Sequence, residues 1–197
     1  MKFYMIFITS FYLLFFSGCY TKEILPESIG DLTQIEQQPY LYGNSDMYIS
    51  KDKQTDFYKD YLRQYFKPWN IDKISYSLDV ATWAFEYKDK KVYAENHRLV
   101  DKNSFETLIS NSNFEQYNNL AKKGITVRNT NLRALPMDGV IFYNPSRAGE
   151  GFPFDYNQNS SIKINTPLFI SHFSKDRLWV FVESSVALGW VKIQDIA

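Results

Sequence analysis

The sequence predicts an α+β protein, with a short helical region followed by a small β-barrel. Residues 55–66 place aromatic and aliphatic side chains at helical spacing, and Pro68 ends that pattern. From Gly124 onward the chain changes to short β-rich runs separated by Gly, Pro, Asn and Asp. Four or five short strands in so few residues are typical of a small closed or half-open barrel.

Two further helical segments are predicted between the first helix and the barrel. Residues 77–87 carry Leu78, Val80, Trp83 and Phe85. Ser104 is a suitable N-cap for a third helix, with Glu106 and Leu108 behind it. The predicted helical region therefore extends to residue 123.

Composition excludes some classes of function. Lys plus Arg and Asp plus Glu number 22 each, so no global charge attracts nucleic acid. Aromatic residues make up 18% of the chain, which favours aromatic-rich cores or surfaces that face sugars or peptides. A nucleic-acid partner is not expected.

The N-terminus has the pattern of an export signal. Lys2 precedes an apolar run from Phe3 to Phe16, which is short for a membrane-spanning helix. Ser17-Gly18-Cys19 then resembles a bacterial lipobox, with Phe16 where leucine is usual. We therefore predict a lipoprotein signal peptide over 1–18, a diacylated Cys19 and a tether over 19–34. An ordinary secreted protein and a short anchor helix are the alternatives.

Cys19 is the single cysteine of the chain. It allows no intramolecular disulfide and no cysteine-based zinc site, and lipidation would leave no free thiol. The two histidines, His97 and His172, are about 75 residues apart in sequence and form no metal-binding motif. No metal and no cofactor are predicted.

The stretch GEGFPFDYNQNSS (149–161) is unusually aromatic for a loop. Gly149 and Gly151 permit a sharp entry, and Pro153 stiffens the loop. We expect Phe152 and Phe154 to be buried beneath it. The polar residues would then face outward, namely Glu150, Asp155, Tyr156 and Asn157.

Several motifs in order resemble cell-wall hydrolases of the NlpC/P60 cysteine-peptidase family. RNTNLRALP (128–136), GEGFPFDYNQNSS, TPLFISHFSKDRLWVFVES (166–184) and GWVKIQDIA (189–197) resemble its SH3b1-type domain. YFKPWN (65–70) and VYAENHRL (92–99) resemble the helical N-terminal clip that precedes SH3b1. The resemblance implies a clip over 35–123 and an SH3-like barrel over 124–197.

The family's enzymes cleave the γ-D-glutamyl to diamino-acid bond of peptidoglycan stem peptides with a Cys in an Asp-Cys-Ser-Gly context. That motif does not occur in these 197 residues, and a thiolate nucleophile beside a histidine base is not available. The resemblance therefore predicts no catalytic residue and no enzyme activity for the chain alone.

In some members of the family, an acid and a tyrosine of SH3b1 receive the amino end of the stem peptide. By that resemblance, Glu150, Asp155, Tyr156 and Asn157 are candidates for ligand binding or domain docking. A carboxylate can form an ion pair with an ammonium group, and a tyrosine adds an aromatic packing surface and a hydrogen bond.

These inferences predict a non-catalytic lipoprotein of the cell envelope, anchored on the extracytoplasmic or periplasmic side through Cys19. It would be an accessory or peptidoglycan-peptide-binding module. The alternative is the regulatory half of a two-chain endopeptidase, which docks a separate catalytic subunit. An independent scaffold without a wall ligand is a third hypothesis.

Overall fold

The computed structural model describes residues 49–197 of the chain. The predicted signal peptide over 1–18, the lipidation of Cys19, the tether over 19–34 and the first part of the clip lie outside the described residues. No helix within 49–197 has the length and apolar character needed to cross a bilayer.

The first helix, α1, extends over Lys51–Tyr65, so it begins four residues before the predicted start. Ser50 caps it, because its hydroxyl accepts a hydrogen bond from the backbone N–H of Lys53 at 3.4 Å. Pro68 lies in the following 3₁₀ turn, Lys67–Asn70, where its missing N–H costs no helical hydrogen bond.

The second predicted helix is present in two pieces. Ser77 caps α2, a single turn over Leu78–Ala81, and a 3₁₀ helix follows over Trp83–Asp89. Ala81, Ala84 and Tyr87 are its buried residues, so the segment packs on one side only.

The third helix, α3, extends over Lys102–Asn111. Its N-cap is Asp101 and not Ser104, which is a correction of the sequence prediction. The Asp101 carboxylate accepts the backbone N–H groups of Asn103 and Ser104, each at 3.1 Å. These hydrogen bonds lower the pKa of Asp101 below its usual value, because they favour the ionised form.

Six antiparallel strands form one sheet in the order β1-β4-β5-β6-β2-β3. Their bounds are Lys122–Ile125 (β1), Thr130–Arg133 (β2), Gln158–Ile162 (β3), Pro167–Phe173 (β4), Trp179–Glu183 (β5) and Leu188–Lys192 (β6). The sheet has six strands, whereas four or five were predicted. The sequence of β3, QNSSI, is too polar to indicate a strand. The fold is α+β, as predicted.

The sheet carries apolar clusters on different sides. Aliphatic residues from five of the strands fill one cluster: Leu132, Ile162, Leu168, Ile170, Val180, Val182 and Val191. A second cluster is aromatic and joins the sheet to the helical region through Ala81, Trp179, Phe181 and Trp190, with Phe114 packed against it. A third lies under the long loop between β2 and β3, around Tyr87, Leu135 and Ile141.

A buried carboxylate also ties the helical region to the sheet. The Glu183 side chain, on β5, is 1% exposed. It accepts hydrogen bonds from the Lys67 ammonium at 3.0 Å and from the backbone N–H of Ser75 at 2.6 Å. Because both oxygens of a buried charge are satisfied, this contact fixes where residues 67–75 cross the barrel.

Candidate functional site

The long loop between β2 and β3 contains the candidate residues of the sequence analysis. Gly149 has a φ of +81°, in the left-handed region that favours glycine. A Cβ on Gly151 would lie 3.0 Å from the Cα of Pro145, closer than most side chains approach, so the loop closes tightly against this glycine. The sharp entry predicted for the loop is therefore present.

The two phenylalanines of this loop do not lie beneath it. Phe152 is 82% exposed and Phe154 is 52% exposed. The expectation that they are buried is therefore wrong. Phe152 and Phe154 instead form an apolar surface, here called the aromatic tip.

The underside of the loop is held by an ion pair between Asp155 and Arg133. The Arg133 guanidinium donates to Oδ2 of Asp155 at 2.8 Å, and the two side chains are 6% and 15% exposed. The same guanidinium donates to the backbone carbonyls of Asp138 and Gly139 at 2.9 and 2.7 Å. The other Asp155 oxygen accepts the backbone N–H of Ile141 at 3.0 Å. Asp155 therefore braces the loop.

Asn157 has a similar bracing position. It is fully buried, and its amide donates to the carbonyls of Met137 and Gly139 at 3.1 and 2.9 Å. Its Oδ1 accepts the backbone N–H of Leu135 at 2.8 Å. The expectation that Asn157 faces outward is wrong, since every polar atom of its side chain bonds to the neighbouring backbone.

Glu150 and Tyr156 are half-buried. Oε2 of Glu150 accepts the backbone N–H of Asn144 at 3.2 Å. The ring of Tyr156 packs against that of Tyr143 with 4.4 Å between centroids. The structure therefore brings the four predicted residues into one loop but turns two of them inward. Their role in ligand binding stays a prediction.

Sequence reasoning did not identify Arg133 as the residue that organises this loop. The sequence gives one indication of this role. Arg133 is a lone cation directly after Leu132 in a short strand, and an unpaired charge would be costly to bury there. Its partner Asp155 is 22 residues further along the chain, and no local pattern joins the two.

The histidines occupy different environments. His97 is exposed and has a φ of 59°. His172 is 1% exposed, and its ring nitrogens lie 2.9 Å from the Ser171 hydroxyl and 3.0 Å from the Ser112 carbonyl. Burial lowers the pKa of His172 to about 4, because the charged ring loses its hydration. Within residues 49–197, no three His, Cys, Asp or Glu side chains are grouped as a metal ion requires.

The six-stranded antiparallel sheet and the short helices before it form an α+β protein with an SH3-like domain. The N-terminal NLPC_P60 stabilising domain matches residues 6–117, and the SH3 domain of the SH3b1 type matches residues 141–192. The chain belongs to the NlpC/P60 family, of which it carries these two accessory domains. The exact domain boundary predicted at residue 123 stays a prediction.

A solved structure supports the same assignment. The chain resembles a structure described as "Insights into a novel NlpC/P60 Endopeptidase from Photobacterium damselae subsp. piscicida", at 25% sequence identity and a TM-score of 0.71. The similarity covers 83% of this chain and 41% of that endopeptidase, so this chain spans less than half of its length. No curated protein matches the sequence. The chain is therefore an NlpC/P60-associated cell-wall module.

Proposed function

We propose that the chain is a non-catalytic accessory module of the cell wall, and that its aromatic tip docks an NlpC/P60-type catalytic domain from outside these 197 residues. The observation that carries this proposal is the exposure of Phe152 and Phe154 on a loop that is braced from below. This is the two-chain hypothesis of the sequence analysis, now with a defined surface.

The physical argument concerns what an exposed aromatic pair can recognise. Burying a phenylalanine side chain contributes about 2 kcal/mol, and aromatic anchors often dominate the energy of protein interfaces. Because Arg133 and Asn157 already hold the loop, docking would cost little additional ordering. A side chain that is 82% exposed protrudes, which suits insertion into a partner's pocket better than capture of a small peptide.

The family comparison supports the same proposal. The accessory domains of this chain match less than half of an NlpC/P60 endopeptidase. The sole cysteine, Cys19, precedes both the described residues and the barrel, so the cysteine chemistry of the family would have to come from another domain.

The test is binding to the NlpC/P60 catalytic domains encoded in the source genome, each expressed separately and measured by biolayer interferometry. We expect at least one to bind, and the double substitution Phe152→Ser/Phe154→Ser to weaken that binding at least tenfold. Val186→Ser is the matched control, because Val186 is 69% exposed in a different turn. Failure of every catalytic domain to bind, or equal binding by both variants, would contradict the proposal.

A second candidate is direct binding of the wall stem peptide, which the half-buried Glu150 carboxylate favours. Only one of its oxygens has a hydrogen bond within the described residues. Calorimetry with L-Ala-γ-D-Glu-diaminopimelate would compare the wild type with Glu150→Gln/Tyr156→Phe, which leaves the bracing residues intact. Millimolar or tighter binding that this variant loses supports the candidate, and absence of heat at millimolar peptide argues against it.

The proposed location is a membrane surface on the extracytoplasmic or periplasmic side, through lipid on Cys19. Two or more acyl chains suffice for stable anchoring. Cys19→Ala should release the protein from membranes, and mass spectrometry of the wild type should show acylation. Unchanged membrane retention of the variant together with an unacylated wild type would remove this part of the proposal.

A further inference from the structure

A polar groove crosses the barrel near the chain's last 3₁₀ turn. A cleft of about 400 Å³ lies among β2, β3, β6 and the turn Ile193–Asp195. A smaller cavity of about 200 Å³ shares four lining residues with it, Asp138, Trp179, Lys192 and Gln194. The two neighbouring cavities are here together called the groove, and its lining includes no residue of the aromatic tip.

The larger cavity of the groove has one positive charge in excess. Within the described residues, Arg128 faces Asp195 at 3.4 Å, and Lys192 pairs with Asp138 at 2.7 Å. Arg133 is neutralised by Asp155 beneath the loop. Lys163 also lines the groove, and its ammonium has no ion pair or hydrogen bond to any residue of 49–197.

Asn129, which also lines the groove, supplies hydrogen-bond donors. Oδ1 of Asn129 accepts the backbone N–H of Ile164 at 3.0 Å, which leaves the Asn129 amide N–H groups available. Asp195 accepts the Thr130 hydroxyl at 2.6 Å in addition to facing Arg128. A free ammonium beside free amide donors is complementary to a carboxylate.

The smaller cavity contributes two exposed apolar side chains to the groove. Leu178 is 61% exposed and Ile193 is 38% exposed, and both line the smaller cavity. This combination fits a ligand with a carboxylate at one end and an apolar side chain larger than a methyl group at the other. The alanine methyls of a wall stem peptide are small for these two apolar side chains.

The aromatic residue in the groove argues against a glycan. Sugar rings commonly stack on an open aromatic face, but Trp179 is only 6% exposed. The Lys192 ammonium also lies 5.6 Å from the Trp179 ring centroid, over that ring. A peptide needs no stacking face, and its backbone can accept the amide donors.

We propose that this groove binds an extended protein segment that places a carboxylate at Lys163 and Asn129 and an apolar side chain against Leu178 and Ile193. The inference does not depend on docking at the aromatic tip, because none of the residues that carry it is in the loop between β2 and β3. Asn129 precedes β2, Lys163 follows β3, Leu178 precedes β5, and Ile193 lies in the final turn.

The experiment uses the full chain and four short probes. Acetyl-Leu-Ala-Ala-Glu and acetyl-Glu-Ala-Ala-Leu cover both chain directions, and their fully amidated counterparts lack the carboxylates. Binding is measured by saturation-transfer NMR, which detects millimolar affinity. We expect an acidic peptide to bind and its amidated form to bind about three- to tenfold more weakly, as one charge-assisted contact in a partly open groove implies.

Two substitutions locate the site. Lys163→Gln should reduce binding of the acidic peptide to the level of the amidated form, and Ile193→Asp should abolish it. Lys123→Gln is the matched control, because Lys123 is an exposed lysine on β1 that does not line the groove. Since Lys163 is exposed, its replacement should leave the circular dichroism spectrum unchanged.

The proposal is overturned if no acidic peptide binds at 5 mM, or if the acidic and amidated peptides bind equally. Wild-type affinity in Lys163→Gln would also overturn it, since binding would then occur elsewhere. L-Ala-γ-D-Glu-diaminopimelate serves as a fifth probe. Tighter binding of that probe than of every acidic peptide, lost in Lys163→Gln, would reject a protein segment in favour of the wall peptide.

Discussion

Strand β5 and helix α1 are both rich in apolar and aromatic side chains, but they use them in opposite ways. All five residues of β5 are buried, including Trp179 and Phe181. No residue of α1 is buried, and its Phe57, Tyr58 and Tyr61 are about 60% exposed. The number of aromatic residues in a segment therefore does not decide whether the segment contributes to the core.

The difference follows from what each element packs against. β5 is a central strand, with β4 and β6 as its neighbours and apolar clusters on both of its faces. The described part of the chain covers no side chain of α1 completely, and Tyr65 makes its contact through a hydroxyl that donates to the carbonyl of Asn165 at 2.9 Å. We therefore expect stability to depend on the β5 region and to be insensitive to the aromatic face of α1.

The largest effect on the free energy of unfolding is expected from substitution of Trp190, which packs beside β5. Trp190 is fully buried, and its ring lies 5.2 Å from that of Phe181 and 5.8 Å from that of Phe114, centroid to centroid. Trp190→Ala leaves a large cavity and should lower the free energy of unfolding by about 3–5 kcal/mol in urea denaturation.

Trp190→Phe provides the matched control for this prediction. Within the described residues, the Nε1–H of Trp190 has no hydrogen-bond partner, so phenylalanine removes an unsatisfied donor while keeping an aromatic ring. We expect a loss below about 1.5 kcal/mol. Equal losses for the two variants would contradict the prediction that packing of the aromatic ring is what stabilises this position.

An intermediate effect on the free energy of unfolding is expected from the titration of His172, which lies in the same aromatic cluster. Its folded-state pKa of about 4 lies below the usual 6.5, because burial disfavours the charged ring. As pH falls below 6.5, the unfolded chain takes up this proton first, so stability decreases until about pH 4. At pH 5 the expected loss relative to pH 7.5 is about 2 kcal/mol.

His172→Gln keeps a side-chain donor for the Ser112 carbonyl but does not titrate. Urea denaturation at pH 7.5 and pH 5 would measure the loss for both proteins. The variant should lose about 2 kcal/mol less than the wild type over this interval. Asp101 and Asp176 have lowered pKa values, so their contributions fall mainly below pH 4 and outside the interval. An equal loss for both proteins would contradict the assignment to His172.

The parts of the fold that could be predicted are those encoded by local patterns. Helix α1 follows from the spacing of its aromatic residues, and Pro68 marks its end. The hairpin between β4 and β5 follows from apolar runs around a short polar turn. β3 could not be predicted, because its polar sequence becomes a strand only through pairing with β2, about 30 residues earlier.

The candidate loop shows the same limit. Its glycines and proline predicted a sharp turn, but they did not indicate which residues would face inward. That choice depends on Arg133, which is buried and requires a carboxylate beneath the loop. Asp155 meets this requirement and turns inward, whereas Phe152 and Phe154 lie outside. Aromatic character alone therefore did not indicate which residues of the loop are buried.

The smallest effect is expected for Phe57→Ser/Tyr61→Ser on the exposed face of α1. Serine has about the same helix propensity as phenylalanine and tyrosine, so the helix itself should persist. With no buried contact to lose, the free energy of unfolding should change by less than about 0.5 kcal/mol, whereas Phe181→Ser in the core should cost several times more. A loss above about 1.5 kcal/mol in the helix variant would show that this face is covered in the whole protein. In that case both α1 and β5 would be buried, and they would differ only in what they pack against.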